Sequence, residues 1–245
     1  MNTLPEHRID LWYQAIPPSA QVEIPGWPAL LNAAEKDQFA AFHFDHDRRR
    51  FLLTRVLVRS VLAAYLPTPA KDLVFCHNDF GRPSLLPEQN PLGLDFNLSH
   101  TGQGIVCALA CRARIGVDLE SYTKSRNPEI AETFFTDREK AQLHTVPQAR
   151  WNRQFIELWA LKEAYIKALG KGTAIPLDSF YFELHSEHIE FVDLENGEDN
   201  AAWHFRVLEA PDEQVLSVGV CFEHPSQGMP QINIHTCNLS TLQPD

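Results

Sequence analysis

The sequence predicts an α+β fold built as two similar halves, residues 1–113 and 114–245. Three observations predict it. Helical patterning followed by strand-like runs occurs twice along the chain. The second succession opens at Ile115. The 245 residues, 44% apolar and 22% charged, suffice for two halves that each bury a core. The repeat is one of architecture, with no internal sequence self-similarity and no low-complexity stretch.

Residues 1–30 hold Pro5, Pro17, Pro18, Pro25 and Pro28 and read as an extended lead-in. Helical patterning begins near Ala33. A strong helix opens at Asp45 or His46 and runs to Tyr65, where Leu52, Leu53, Val56, Leu57, Val61 and Leu62 form one broad apolar face. Pro67 and Pro69 close it. Strand-like runs follow at 73–76, 94–98 and 104–110. The second half begins with a short strand at 115–120 and a polar loop at 121–128. Helices are expected at 128–135, 137–144 and 150–169, the last closed by Gly170 and Gly172. Strands at 180–184, 189–194, 203–208 and 215–222 complete the reading.

The net charge of −11 disfavours nucleic acid and membrane surfaces as partners, since both want a basic field. No apolar run reaches the length of a membrane span, and residues 1–16 do not read as a signal peptide. A cytoplasmic protein is expected. The five cysteines are odd in number and irregular in spacing, and read as reduced, buried small hydrophobes rather than zinc ligands. Basic residues are nevertheless gathered in two groups: Arg48, Arg49, Arg50, Arg55 and Arg59, then Lys162, Lys167 and Lys171.

Two acidic segments carry the chemistry. The first is Gly116-Val117-Asp118-Leu119-Glu120; on a strand, positions two apart share a face, so both carboxylates and Gly116 look the same way. The second is Trp159-Ala160-Leu161-Lys162-Glu163-Ala164-Tyr165-Ile166-Lys167, in which Trp159, Glu163 and Lys167 share a helix face with Phe155. Glu163–Lys167 alone is an ordinary helix-surface pair worth roughly 0.2–0.5 kcal/mol; on an aromatic stripe it points to a partly buried site. Lys162, about a hundred degrees around the helix, reads equally as a separate contact or a surface lysine. Two carboxylates about 4 Å apart repel by about 4 kcal/mol at an effective dielectric of 20. Three of them need a cation, and magnesium binds through a few carboxylates and substrate phosphates. A nearby lysine suits a leaving phosphate.

Two further segments fit phosphate chemistry. Phe96-Asn97-Leu98-Ser99-His100-Thr101 ends a strand in three polar groups, without the glycine elbow of a serine hydrolase. Phe80-Gly81-Arg82-Pro83 is a turn that presents an arginine.

In this order and spacing the segments resemble the Sfp-type 4′-phosphopantetheinyl transferases of the holo-acyl-carrier-protein synthase superfamily. Gly116-x-Asp118-x-Glu120 and Trp159-x-x-Lys162-Glu163-Ala164-x-x-Lys167 resemble that family's two signatures, Phe96 to Thr101 its F-N-x-S-H segment, and Gly81-Arg82-Pro83 its G-(K/R)-P turn. The arginine-bearing helix with Leu57-Val58-Arg59 also fits. The resemblance implies a monomer of two pseudo-symmetric α+β halves that binds coenzyme A in the cleft between them. It implies transfer of the phosphopantetheine arm to a serine of an apo acyl or peptidyl carrier protein, with Mg²⁺, and release of adenosine 3′,5′-bisphosphate. Asp118, Glu120 and Glu163 would hold the metal. Glu163 would also take the serine proton, directly or through water, and Lys167 would steady the leaving phosphate. Ser99, His100 and Arg50 would contact coenzyme A phosphates, His100 and Arg50 at the 3′-phosphate, with Arg82 near the nucleotide and Lys162 as a further coenzyme contact. Glu139 matches a family glutamate near the site. Lysines that some members carry before the arginine helix have no counterpart here, where His43 and His46 stand.

Two other functions compete. A D-x-E pair with E-x-x-x-K could serve a metal-dependent nuclease, which the −11 charge disfavours. A non-catalytic coenzyme A-binding module would have little reason to gather carboxylates against a polyanion.

Overall fold

The computed structural model describes residues 2, 4–17, 27–224 and 228–237. Its centre is two sheets laid edge to edge, the first mixed and the second antiparallel. The first sheet has the order β11-β1-β5-β4, with β1 Arg8–Ala15, β4 Leu94–His100, β5 Gly104–Cys111 and β11 Gln231–Thr236. The second has the order β6-β10-β9, with β6 Ala113–Ser121, β9 Trp203–Ala210 and β10 Gln214–Phe222. Two small hairpins accompany them: β2 Phe75–His77 with β3 Pro83–Leu85, and β7 Phe180–Leu184 with β8 Ile189–Asp193. The helices are α1 Trp27–Leu30, α2 Ala33–Ala41, α3 Asp45–Tyr65, α4 Pro128–Phe134, α5 Asp137–Thr145 and α6 Gln148–Leu169. The α+β class read from the sequence is the class of the molecule.

Each sheet carries one long helix. The apolar face of α3 packs Leu53, Val56, Leu57 and Leu62 against Phe96, Ile105 and Leu109. The apolar face of α6 packs Phe155, Leu161 and Tyr165 against Phe180, Phe182 and Phe205. A third cluster joins the sheets: Ile9, Leu11, Val106 and Ala108 meet Val117, Leu119, Val218 and Val220. Every residue of β5 is therefore buried, which explains its unbroken apolar run, typical of a strand covered on both faces.

Sequence and structure part company at the ends of the chain. Part of the expected lead-in is strand β1, whose Ile9, Leu11 and Tyr13 alternate into the core; the flanking prolines obscured that alternation. Residues 18–26 of the lead-in lie outside the described residues. Strand β11 pairs in parallel with β1, Arg8 opposite Gln231 through Tyr13 opposite Thr236. Residues 231–236, assigned by sequence to the second half, thus complete the first sheet. Among the described residues no helix is long and apolar enough to cross a membrane. The five cysteines are free, four of them buried.

The two sheets meet without a backbone ladder. Alternate side chains of β4 accept from alternate amides of β6: Asp95 Oδ2 from Ile115 N at 2.9 Å, Asn97 Oδ1 from Val117 N at 3.0 Å, and Ser99 Oγ from Leu119 N at 3.1 Å. The same alternation turns Leu94, Phe96 and Leu98 toward α3. This side-chain zip leads the strand ends directly to the candidate site.

Candidate active site

Gly116 sets the geometry. A β-carbon there would lie 1.9 Å from the Ala164 carbonyl oxygen and 2.5 Å from the Ala168 amide nitrogen, so α6 rests on the bare backbone of β6. That close approach carries Glu163 and Lys167 over the face that presents Asp118 and Glu120. Lys167 Nζ reaches Asp118 Oδ1 at 2.6 Å and Ser99 Oγ at 3.0 Å. Ser99 Oγ in turn donates to Asp118 Oδ1 at 2.9 Å. Glu120 Oε2 accepts from Arg126 Nη2 at 2.7 Å. Asp118 Oδ2 is buried with no hydrogen-bond partner.

The electrostatics show acids under strain. Burial raises the Glu163 carboxyl above its ordinary value, and the charges of Asp118 and Glu120 push the same way against Lys167. Burial and then Asp118 likewise raise Glu120 against the pull of Arg126. His100 is held below the ordinary imidazole range, first by burial and then by the charge of Arg50, with Lys167 adding to it. Arg50 also pairs with Asp47 at 2.6 Å.

Two cavities flank this group and share Leu98 and Lys167 as a border. The larger, about 590 Å³, is mainly apolar and runs from the Gly81-Arg82-Pro83 turn past Phe134 and Glu163 to Ile175. The smaller, about 360 Å³, is polar and is lined by Ser99, His100, Thr101, Asp118, Glu120, Lys124 and Lys167. Lys124 and Arg126 were not foreseen; they follow the acidic signature closely, but no spacing rule marks them.

Two expectations need correction. Lys162 does not face the cleft: it is fully buried, pairs with Glu139 Oε2 at 2.9 Å and donates to the carbonyls of Leu177 at 2.7 Å and Phe180 at 2.8 Å. Its position around α6 turns it into the second core rather than the cleft. Glu139 is the partner in that core, where it also accepts from the Phe182 amide at 3.1 Å and caps α5 through Thr136. Most of the arginine helix works internally. Arg59 is fully buried and binds Glu35 and the carbonyls of Ala70 and Leu73. Arg82 lines the large cavity, but its guanidinium also holds Asp95 at 2.7 Å and the Ile115 carbonyl at 2.8 Å.

The donor set suits a hard divalent cation, being all carboxylate oxygen with one oxygen unpartnered in a buried place. Among the described residues, however, the trio of potential ligand atoms lying within 4.8 Å of one another is Glu183, His185 and Glu190, at the turn end of the β7–β8 hairpin. Asp118, Glu120 and Glu163 are more widely set, two of them turned to the cations Lys167 and Arg126.

Known proteins match this arrangement over most of its length. A sequence model described as the 4′-phosphopantetheinyl transferase superfamily matches residues 114–221, and one described as 4′-phosphopantetheinyl transferase, N-terminal, matches residues 19–112. The 4′-phosphopantetheinyl transferase Sfp of Bacillus subtilis (strain 168) is 30% identical over 210 residues, covering 85% of this chain and 89% of the relative. A second Bacillus subtilis 4′-phosphopantetheinyl transferase is 32% identical, covering 80% and 84%. HetI, a 4′-phosphopantetheinyl transferase of Nostoc sp., is 33% identical, covering 70% and 73%. The chain belongs to the 4′-phosphopantetheinyl transferase superfamily and is similar to its Sfp-type members.

Proposed function

We propose that this enzyme transfers the 4′-phosphopantetheine arm of coenzyme A to a serine hydroxyl of an apo acyl or peptidyl carrier protein, releasing adenosine 3′,5′-bisphosphate. The observation that carries this reading is Lys167, which touches Asp118 of one sheet and Ser99 of the other and borders both cavities.

The polar cavity takes the phosphates, with His100, Lys124 and Lys167 as donors, Ser99 lining it with its hydroxyl proton given to Asp118, and Arg50 adding charge from α3. The apolar cavity beneath the Gly81-Arg82-Pro83 turn takes the base of the nucleotide. Asp118, Glu120 and Glu163 would hold a divalent cation such as Mg²⁺, which supplies charge to the pyrophosphate. In the transfer, the serine oxygen forms a bond to the β-phosphorus while the bond from that phosphorus to the bridging oxygen breaks. Glu163 accepts the serine proton, directly or through one water; its raised pKa makes it a better proton acceptor than an ordinary carboxylate. Lys167 steadies the negative charge that gathers on the departing phosphate.

The test is to incubate the protein with coenzyme A, Mg²⁺ and a panel of apo carrier domains and to weigh the carriers by mass spectrometry. Addition of one phosphopantetheine group is expected, with kcat/KM across the panel reporting the preferred carrier. Carriers that all stay unmodified would overturn the reading.

A further inference from the structure

We propose that Arg126 is a placeholder cation, whose guanidinium occupies Glu120 and competes with the divalent cation for that carboxylate. The proposal rests on Glu120 being a metal ligand, as argued above.

Arg126 lies outside both acidic signatures, six positions beyond Glu120. Its Nη2 sits 2.7 Å from Glu120 Oε2, a charge-assisted contact between two side chains only 21% and 17% exposed. The contact is built, not incidental. The Arg126 amide donates to Asn152 Oδ1 at 3.0 Å, and Asn152 Nδ2 donates to the carbonyls of Tyr122 at 3.1 Å and Lys124 at 3.2 Å. One asparagine of α6 therefore staples the loop that carries the arginine and fixes its reach. The Arg126 Nε is buried without a partner, and the guanidinium's contact is with Glu120.

The consequence is geometric. Asp118 is held by Lys167 and Glu120 by Arg126, and the acids stand apart rather than converging on one point. The Arg126 contact on Oε2 opposes drawing Glu120 in as a ligand. Lys167 belongs to the catalytic group, whereas Arg126 has no part in the transfer itself. Its role is to neutralise a semi-buried acid until a divalent cation does so.

The experiment measures Mn²⁺ binding to the full chain by electron paramagnetic resonance of free Mn²⁺, without coenzyme A. Arg126→Gln is expected to bind Mn²⁺ about fivefold more tightly than the wild type, the gain of removing a competing ion pair. Glu120→Gln is expected to bind it more weakly. If Glu120→Gln matches the wild type, Glu120 is no ligand and the underlying metal reading falls. If Glu120→Gln is weaker but Arg126→Gln is unchanged or weaker, the competition is overturned and the ligand stands. Should Arg126→Gln fold poorly, the wild type serves: the Arg126 Nε–Hε resonance is expected to shift in step with Mg²⁺ saturation, and a stationary resonance would overturn the proposal.

Discussion

Ser99 Oγ donates to Asp118 Oδ1 at 2.9 Å while accepting from the Leu119 amide at 3.1 Å, so one hydroxyl both closes the seam between the sheets and orients an acid of the site. It is the last of three rungs, after Asp95 and Asn97. Asn97→Ala removes the middle rung and leaves the buried Val117 amide without its acceptor. A loss of about 1–3 kcal/mol is expected, the cost of an unsatisfied buried donor. Urea unfolding checks it: the midpoint should fall with an unchanged slope.

Gly116 is the position where α6 and β6 touch through backbone alone. Gly116→Ala must push the helix away from the strand, since the obstructing Ala164 oxygen and Ala168 nitrogen are main-chain atoms. Overpacking of this kind costs typically about 1–3 kcal/mol, and backbone contacts place it at the upper end. Glu163 and Lys167 move with the helix, so kcat is expected to fall about a hundredfold, as a displacement of about 1 Å would cause. Gly102→Ala, where nothing lies within 4 Å of the added carbon, is the stability control and should melt like the wild type.

Much of the site was legible because it depends on short-range periodicity. The D-x-E strand and the long helix needed only periods of two and 3.6 to place Asp118, Glu120, Glu163 and Lys167 on facing surfaces. The failures have a common physical cause. Lys162 and Glu139 are buried partners 23 positions apart in sequence, and no local pattern distinguishes a lysine aimed at a carboxylate from one aimed at a phosphate. The side-chain zip was visible as Asp95-x-Asn97-x-Ser99, polar alternation in a strand otherwise bound for the core, but its partners lie twenty positions away. Strand β11 escaped notice because its pairing with β1 joins the two ends of the chain.

Lys162 provides a discriminating case. With Glu139 it forms a pair at 0% exposure for both side chains. Lys162→Met strands the glutamate and is expected to cost about 3–5 kcal/mol, as breaking a buried ion pair does. The double variant Lys162→Met with Glu139→Gln removes both charges and should recover a substantial part of that loss. Thermal melts give the stabilities, and titration calorimetry should find coenzyme A affinity within about twofold of the wild type in the folded double variant. A large loss of affinity there would return Lys162 to the ligand site.

Glu163 carries a stability cost as well as a function. Its carboxyl is raised in the folded protein above the ordinary value of 4.5, so the folded state binds that proton more tightly than the unfolded chain does. The ionised form therefore costs stability at pH values above the folded pKa, and that cost vanishes below the ordinary value. Glu163→Gln is expected to raise Tm at pH 7.5 without added divalent cation, by about 2–4 °C for each kcal/mol relieved. The gain should disappear by pH 4.5, while transfer activity is lost at every pH. A Tm at or below that of the wild type at pH 7.5 would contradict the strain assigned to this group.

His100 makes the opposite use of its surroundings. Burial, Arg50 and Lys167 hold the imidazole below its ordinary value of 6.5, so near neutrality the unliganded side chain is uncharged. The unfolded chain binds that proton more readily, so this residue's contribution to stability is lost as pH falls below 6.5. A phosphate set against His100 reverses the balance, because its negative charge favours the imidazolium. Coenzyme A binding at pH 6.5 is therefore expected to take up protons, and 3′-dephospho-coenzyme A to take up fewer. Titration calorimetry in buffers of different ionisation heat measures the uptake. His100→Gln should abolish the difference between the two ligands. Equal uptake for both ligands in the wild type would remove the 3′-phosphate from His100.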